Sequence, residues 1–164
     1  MQHYGYEFKY GANNVNVDEK MGLMPPFLKF LEPKLAKIMS HFEVKEGVNK
    51  HGDQCKKVTF KNEPVADNIL TSFGYFDQMT ANDYMPGQGI PPHVDTHSPF
   101  QEVFAAISLK SGTTMHFKDP QSKVLDLYLE PRTLMVFSGE ARYNWLHSIA
   151  QRKIDRVDDL LRFR

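Results

Sequence analysis

His93 and Asp95 are the two residues whose types and spacing point most directly to metal chemistry. In extended backbone, residues two positions apart face the same way, so an imidazole and a carboxylate could bind one cation together. A third ligand would come from elsewhere in the fold, and the candidates are His97, His116 and His147. Two histidines and one carboxylate that leave coordination positions open are typical of Fe(II) oxygenases. The His-x-Asp pattern also occurs by chance, so ordinary surface or core histidines are the alternative.

The elements around these residues indicate a β-rich fold. Apolar residues at three- and four-residue spacing predict an amphipathic helix over residues 33–42, with Pro33 in its first turn. Residues 1–24 and 43–54 are predicted to be mostly loop. From residue 55 onward, β-branched and aromatic runs separated by turn residues predict short strands. These runs lie at residues 55–60, 75–82, 103–109, 113–117, 124–129, 133–137 and 143–149.

Evenly spaced short strands after one helical segment favour a mainly β (α+β) fold. The predicted class is a double-stranded β-helix, or jelly roll, with a supporting N-terminal helix. Strands do not alternate with long helices, which argues against a parallel α/β sheet. In such a roll, strands that are distant in sequence become neighbours, so the 54-residue gap between His93 and His147 is no obstacle.

Composition places the sequence among ordinary globular proteins. Hydrophobic residues make up 41% and charged residues 24% of the 164 residues, which argues against disorder. Lys+Arg and Asp+Glu both number 20, so the whole molecule is not a strongly basic nucleic-acid binder. The single cysteine excludes an intrachain disulfide and favours a reducing compartment. With no long apolar run and no signal-peptide pattern, we expect no membrane partner and an intracellular location, cytoplasmic or nuclear.

The residues around the candidate ligands form longer patterns. The first is Asn82-x-Tyr84-x-x-Gly87-x-Gly89-Ile90-x-x-His93-x-Asp95, and the second is Gly139-Glu140-x-Arg142-Tyr143-x-Trp145-x-His147-x-Ile149. Shorter patterns occur at residues 3–8, 96–100, 115–120 and 152–155. Together they resemble the AlkB family of Fe(II) and 2-oxoglutarate dioxygenases, and within it the branch that hydroxylates wobble uridine in tRNA. The resemblance covers most of residues 1–155.

The resemblance implies a set of site residues and ligands. His93, Asp95 and His147 match the iron ligands, and catalysis would be centred on the iron without a separate acid or base. Asn82 and Tyr84 match the polar pair that contacts 2-oxoglutarate, although Tyr84 could instead be a packed aromatic at the glycine turn. The implied cofactors are Fe(II) and 2-oxoglutarate. The implied partners are molecular oxygen, tRNA or another nucleic acid, and a methyltransferase, which is joined to the oxygenase domain in that branch.

Four residues are candidates for substrate binding. Tyr4 and Tyr6 could stack on a nucleobase, as aromatic side chains do in readers of single-stranded RNA. Alternating aromatics are equally typical of a packed edge strand. Arg142 and Trp145 neighbour the distal histidine in sequence, and they could contact substrate or serve as a structural ion-pairing residue and a core aromatic.

The end of the sequence departs from the family pattern. The family closes its fold with a strand of the form Arg-x-Asn/Ser-x-Thr-x-Arg, whose first arginine pairs with the far carboxylate of 2-oxoglutarate. This sequence ends Arg162-Phe163-Arg164 without that pattern. Residues 1–164 are therefore expected to form a single AlkB-like dioxygenase domain that lacks the final arginine-bearing strand. Arg164 is the candidate for the first arginine, and without a bidentate partner we expect weak binding of 2-oxoglutarate.

The leading functional prediction is an Fe(II)- and 2-oxoglutarate-dependent oxygenase that hydroxylates a modified wobble uridine in tRNA. A base in the anticodon loop is already unpaired, so bringing it to the metal needs little extrusion energy. The alternatives are oxidative demethylation of alkylated RNA or DNA bases or of protein, and a catalytically impaired RNA-binding relative. A cupin-type metal protein that merely shares the jelly roll is a further alternative.

Overall fold

The structure is a computed structural model that describes residues 1–12, 14–48, 54–65, 76–97, 99–100 and 102–164. The chain divides into two compact units. The first unit contains Met1–Asn82 and Ser98–Glu102, and the second contains Asp83–His97 and Val103–Arg164. Among the described residues, no helix has the length and the apolar composition needed to cross a bilayer.

Within its described residues, the first unit contains three antiparallel strand pairs and one helical segment. Strand β1 pairs with β6, β2 with β3, and β4 with β5. A 3-10 helix at Pro26–Leu31 leads directly into helix α1. The bounds are β1 Gln2–Tyr4, β2 Tyr6–Lys9, β3 Asn14–Lys20, α1 Glu32–Met39, β4 Phe42–Val48, β5 Gln54–Phe60 and β6 Met79–Ala81.

Helix α1 agrees with the helix predicted for residues 33–42, although it begins one residue earlier and ends three residues earlier. Pro33 lies in its first turn, where its missing N–H costs no hydrogen bond. Leu35 and Met39, four residues apart on one helical face, are its buried residues. The predicted periodicity therefore identified the face of the helix that packs.

Two loop predictions in the first unit were wrong. Residues 1–24 contain β1, β2 and β3, and β4, Phe42–Val48, includes residues 43–48 of the second stretch predicted to be loop. The charged residues Glu43, Lys45 and Glu46 hid the strand character of β4, which pairs with β5 along its whole length. Residues 49–53, at the other end of that predicted loop, lie outside the described part of the chain, as does residue 75, where one strand was predicted to begin.

The second unit contains the main sheet. Four antiparallel strands lie in the order β10-β9-β12-β7, and β8 pairs with β11 in a second, two-stranded sheet. The bounds are β7 Ile90–His93, β8 Phe104–Ile107, β9 Thr113–Lys118, β10 Val124–Leu129, β11 Leu134–Phe137, α2 Gly139–Tyr143, β12 Leu146–Ile149, β13 Ile154–Val157 and β14 Leu160–Phe163.

The core of the second unit joins the four-stranded sheet to the β8–β11 pair. Met115 and Phe117 from β9, Leu129 from β10 and Phe137 from β11 are buried together. Phe104 stacks on Phe137 with ring centroids 4.3 Å apart and packs against the same cluster. The mainly β, jelly-roll fold class predicted from the sequence is confirmed.

Three strands of the second unit were not predicted. Strand β7 contains Pro91 and Pro92, which count against a strand inside a sheet, but β7 is one of the two edge strands, where proline is tolerated. Strands β13 and β14 form a hairpin whose two turn residues, Asp158 and Asp159, both have positive φ. Such turns are usually recognised by Asn-Gly or Asp-Gly, so the Asp-Asp turn gave no signal.

The strand predicted for residues 143–149 was too long. Helix α2 occupies Gly139–Tyr143, and β12 begins only at Leu146. The predictions for β9 and β10 match the structure to within one residue. Long, regularly alternating runs were therefore assigned correctly, while the short helix beside β12 was not.

Candidate metal centre

Strands β7 and β12 bring two of the predicted ligands together. They pair antiparallel, and His93 and His147 are register partners. Their ring centroids lie 4.3 Å apart. A register shift between His147 and Ile149 marks an irregularity at this point in the pairing. Two residues 54 positions apart in sequence thus become direct neighbours across one strand pair.

The turn before β7 sets the position of His93. The amide of Gln88 donates to the carbonyl of Met85 at 2.9 Å, and Gly87 has a φ of +94°. Pro86 and Gly87 therefore occupy the central positions of a turn whose second central residue needs positive φ, as in a type II turn. Gly89 then passes so close to β12 that a Cβ atom there would clash with the carbonyl oxygen of Ile149.

Asp95 completes a group of three side chains, referred to here as the triad: His93, Asp95 and His147. Nε2 of His93 lies 3.5 Å from Oδ1 of Asp95, and Nε2 of His147 lies 3.5 Å from Oδ2. One ligand atom from each residue lies within 4.8 Å of the other two. The structure thus brings together the three residues that the sequence predicted, and His97 and His116 are not part of this cluster.

The donor set suits Fe(II). Two imidazole nitrogens and one carboxylate are the ligands of the facial triad, which leaves metal positions open for other molecules. The side chains of His93 and Asp95 are 38% and 36% exposed, whereas that of His147 is only 10% exposed. The triad is therefore anchored on the core side at His147 and open to solvent at the other two ligands.

Hydrogen bonds and charges prepare the triad for a cation. Nδ1 of His93 donates to the carbonyl of Pro91 at 2.9 Å, and this bond orients the ring so that Nε2, the atom that would bind a metal, faces Asp95. The hydrogen bond with Asp95 raises the pKa of His93. Burial raises the pKa of Asp95, but the hydrogen bond from His93 and the charges of His147, His93 and Arg142 outweigh it and lower that pKa. Burial lowers the pKa of His147.

Arg142 lies beside the triad and is 1% exposed. Its Nη1 donates to the carbonyl of Asp95 at 2.9 Å, and its Nη2 donates to the carbonyl of Thr96 at 2.7 Å. The side chain therefore ties helix α2, which precedes His147, to the segment that carries Asp95. The structure gives it a role in holding the ligand segments, and its predicted contact with substrate stays a prediction.

The residues predicted to contact 2-oxoglutarate are Asn82, Tyr84 and Arg164, and their surroundings differ from one another. Asn82, in the first unit, is exposed just beyond the end of β6, and Tyr84, in the second unit, is 44% exposed. The guanidinium of Arg164 donates to both carboxylate oxygens of Asp155 and to the carbonyl of Ala150. Their roles toward 2-oxoglutarate stay predictions.

The aromatic residues predicted for substrate binding are partly buried. Tyr4 ends β1 and Tyr6 begins β2 in the first unit, where the ammonium of Lys20 lies 5.8 Å from the ring centroid of Tyr6. Trp145 packs against the core cluster of the second unit. That packing agrees with the alternative of a core aromatic for Trp145, and the predicted nucleobase stacking of Tyr4 and Tyr6 and substrate contact of Trp145 stay predictions.

A second charged group was missed from the sequence. Asp155 is fully buried and accepts hydrogen bonds from Arg152, from Arg164 and from the backbone amide of Thr114; these residues are called the Asp155 cluster. Burial raises the pKa of Asp155, but the bonds from Arg164, Thr114 and Arg152 lower it to about 2. The spacing of Arg152 and Asp155 was a usable signal, since an i, i+3 pair can form a local ion pair.

Comparisons with known proteins agree with this geometry. The family model described as "2OG-Fe(II) oxygenase superfamily" matches residues 14–160. The protein named tRNA (carboxymethyluridine(34)-5-O)-methyltransferase alkbh8 from Xenopus tropicalis is 38% identical over 158 residues, which is 96% of this chain and 20% of that protein. The Alkylated DNA repair protein ALKBH8 homolog from Arabidopsis thaliana is 34% identical over 177 aligned residues, covering 97% of this chain and 44% of that protein. The chain thus spans about a fifth of the length of the animal relative and under half of the plant one.

Proposed function

Because the chain belongs to the 2OG-Fe(II) oxygenase superfamily, we propose that it hydroxylates a modified uridine at the wobble position of tRNA. The family implies Fe(II) as the metal and 2-oxoglutarate as the co-substrate. The observation that carries the proposal is the triad, whose three ligand atoms lie within 4.8 Å of one another and whose two histidines lie on paired strands. The named relatives supply the substrate class, since the animal proteins are named for carboxymethyluridine in tRNA.

The protein's own residues hold and orient the reacting groups. His93, Asp95 and His147 would bind the iron, and Arg142 fixes the backbone that carries Asp95. When bound, the iron with 2-oxoglutarate and molecular oxygen supplies the oxidising power for inserting an oxygen atom into a substrate C–H bond. The exposed sides of His93 and Asp95 give a substrate access to the metal, while the core behind His147 closes the opposite side.

The remaining partners belong to the same proposal. An unpaired wobble base can reach an open site without the energetic cost of leaving a duplex. The oxygenase domain would act beside a methyltransferase, because the animal relatives are named as methyltransferases of carboxymethyluridine 34 in tRNA. We further propose that residues 1–164 act as one AlkB-like oxygenase domain.

The test is oxidation of a defined tRNA. The protein would be loaded with Fe(II) and incubated with 2-oxoglutarate, oxygen and a tRNA whose wobble uridine carries a carboxymethyl-type side chain. Mass spectrometry of the digested nucleosides should show that this uridine gains one oxygen atom, and Asp95→Ala should abolish the gain. Oxygen consumption without any change in the tRNA would contradict the proposed substrate.

A second candidate is oxidative demethylation. The name of the Arabidopsis relative, a homolog of an alkylated-DNA repair protein, favours it. In that case, oligonucleotides with N-methylated bases should lose the methyl group as formaldehyde, while the modified uridine stays unchanged. A chain that binds tRNA but consumes no 2-oxoglutarate would instead be the catalytically impaired relative.

A further inference from the structure

The two histidines of the triad are oriented in different ways. The His93 ring is held by the hydrogen bond from its Nδ1 to the carbonyl of Pro91. The His147 ring lies against aromatic side chains of the core, with its centroid 5.5 Å from that of Phe137 and 6.4 Å from that of Phe117. These separations are in the range of favourable contacts between aromatic rings. Packing against the core therefore restricts the orientation of the His147 imidazole.

Phe137 is itself held in place by a stacked partner. Phe104 of β8 and Phe137 of β11 are register partners on paired strands, and their rings lie 4.3 Å apart with an angle of only 8° between them. Phe137 is 3% exposed, and Phe104 is partly buried against the same core cluster. A close-packed core leaves such rings few alternative rotamers, so the pair forms a rigid surface behind His147.

Phe104 also contacts the residue that holds the backbone of Asp95. The guanidinium carbon of Arg142 lies 5.3 Å from the ring centroid of Phe104, within the range of cation–π attraction. Arg142 in turn donates a hydrogen bond to the carbonyl of Asp95 at 2.9 Å. Three side chains thus form a continuous series of contacts between two ligands of the triad, referred to here as the ligand support: Phe137, Phe104 and Arg142.

We propose that Phe104 and Phe137 are positioning residues that act in series to set the geometry between His147 and Asp95. The proposal rests on the proposed metal binding of the triad. His147 lies on β12 and Asp95 follows the end of β7, so strand pairing alone does not fix the carboxylate relative to the imidazole. The ligand support joins the two. Groups that orient metal ligands typically contribute about 10- to 100-fold to metal affinity.

Co(II) binding tests the role of the two rings. The visible absorption bands of bound Co(II) report the number and geometry of its ligands, and calorimetric titration gives its affinity. Phe137→Leu removes the ring but keeps an apolar side chain, and it should weaken Co(II) binding about 10- to 100-fold and alter the absorption bands. Phe104→Leu should have the same effects. Because Phe104 is only partly buried, this variant provides the test if Phe137→Leu does not fold.

Leu129→Ala is the matched control. Leu129 is 4% exposed and belongs to the same core cluster, but it is not part of the ligand support. Its truncation should lower the temperature of thermal unfolding at least as much as Phe137→Leu does, because it leaves a cavity in the core. The affinity and the absorption bands of Co(II) should nevertheless stay those of the wild type. An equal loss of affinity in Leu129→Ala would mean that general loosening of the core weakens the site, which overturns the proposal.

A double variant tests whether the two rings act in series. If they do, loss of either ring breaks the ligand support, so Phe104→Leu/Phe137→Leu should bind Co(II) about as weakly as the weaker single variant. Losses that multiply would show two independent effects and would overturn the proposal, as would wild-type affinity in folded Phe137→Leu. A wild-type protein that binds no Co(II) would overturn the proposed function and this proposal together.

Discussion

Asp95 and Asp155 lie in the same unit, and each faces cationic or cation-binding groups, but their surroundings differ in kind. Asp155 is 0% exposed and is enclosed by donors of the protein, namely two guanidinium groups and a backbone amide. The side chain of Asp95 is 36% exposed and faces two imidazoles with nitrogen–oxygen distances of 3.5 Å, which are long and weak contacts compared with those around Asp155. The first carboxylate is satisfied by the fold, whereas the second has room for a cation between itself and its neighbours.

We therefore expect the Asp155 cluster to determine the stability of the second unit and the triad to determine its metal chemistry. The Asp155 cluster joins β13, the end of the chain at Arg164 and the amide of Thr114 on β9, so its loss should loosen the fold. The two histidines of the triad are joined by backbone pairing between β7 and β12, and that pairing does not depend on the charge of Asp95, which follows β7 in the chain. Changes at Asp155 should therefore alter folding, and changes at Asp95 should alter metal binding.

The largest expected effect is that of Asp155→Ala. It leaves the buried Arg164 without its partner, and breaking a buried ion pair on one side typically costs about 3–5 kcal/mol. Denaturant unfolding of the metal-free protein measures this loss. The control is Asp83→Ala, which breaks an exposed pair with Lys110 and should cost less than about 1 kcal/mol. Equal losses of unfolding free energy from the two substitutions would mean that the buried Asp155 pair contributes no more to stability than the exposed Asp83–Lys110 pair.

Gly89→Ala should cause the next largest loss of stability, because it acts on both the triad and the Asp155 cluster. The added Cβ would clash with the carbonyl of Ile149 and crowd the backbone of Ala150, whose carbonyl accepts a hydrogen bond from Arg164. Overpacking of this kind costs about 1–3 kcal/mol, and metal affinity should fall along with stability. Gly11→Ala, where an added Cβ meets nothing within 4 Å, is the matched control. A stable Gly89→Ala variant with normal metal affinity would contradict the close approach of β7 and β12.

Lowering the pH should remove the contribution of Asp155 to the free energy of unfolding. The pKa of Asp155 is lowered from 3.8 to about 2 in the folded protein. A carboxyl group whose pKa is lower in the folded than in the unfolded state stabilises the fold at pH values above its unfolded pKa. That stabilisation is lost as the pH falls from 3.8 toward 2. The contribution is about 2 kcal/mol. The free energy of unfolding of wild type and Asp155→Asn should therefore converge over this pH range, and a constant difference between them would speak against the assigned shift.

The smallest effect on folding should come from Asp95→Ala in the metal-free protein. Asp95 is partly exposed and its imidazole partners are not tightly bonded to it, so we expect a change of less than about 1 kcal/mol. The same denaturant experiment measures it beside Asp155→Ala. A loss as large as that of Asp155→Ala would mean that Asp95 is a structural residue.

The sequence predicted the triad more completely than the fold that holds it. His93 and Asp95 were visible because a period of two places them on one face, and the resemblance of Gly139-Glu140-x-Arg142-Tyr143-x-Trp145-x-His147 to the AlkB family indicated His147 as the third ligand. Strand β7 was hidden by Pro91 and Pro92, since its position at the sheet edge is a property of the tertiary structure. Local sequence patterns indicate candidate ligand residues, whereas the position of a strand at the edge or centre of a sheet depends on all the strands together.

Asp155 and Arg142 could not be assigned from local patterns for a similar reason. Asp155 meets Thr114 and Arg164, which are 41 and 9 residues away in sequence. Arg142 meets carbonyl groups 46 and 47 residues away. The sequence left Arg142 equally open to a substrate contact and to a structural role, because burial decides between them only after the chain has folded.

We propose that His93, Asp95 and His147 together hold one metal ion. Anaerobic loading with Fe(II), followed by gel filtration and elemental analysis, measures the iron bound, and a thermal melt shows that each protein is folded. We expect one iron per chain in the wild type and almost none in folded Asp95→Ala or His147→Ala. Full iron content in either folded variant would contradict it.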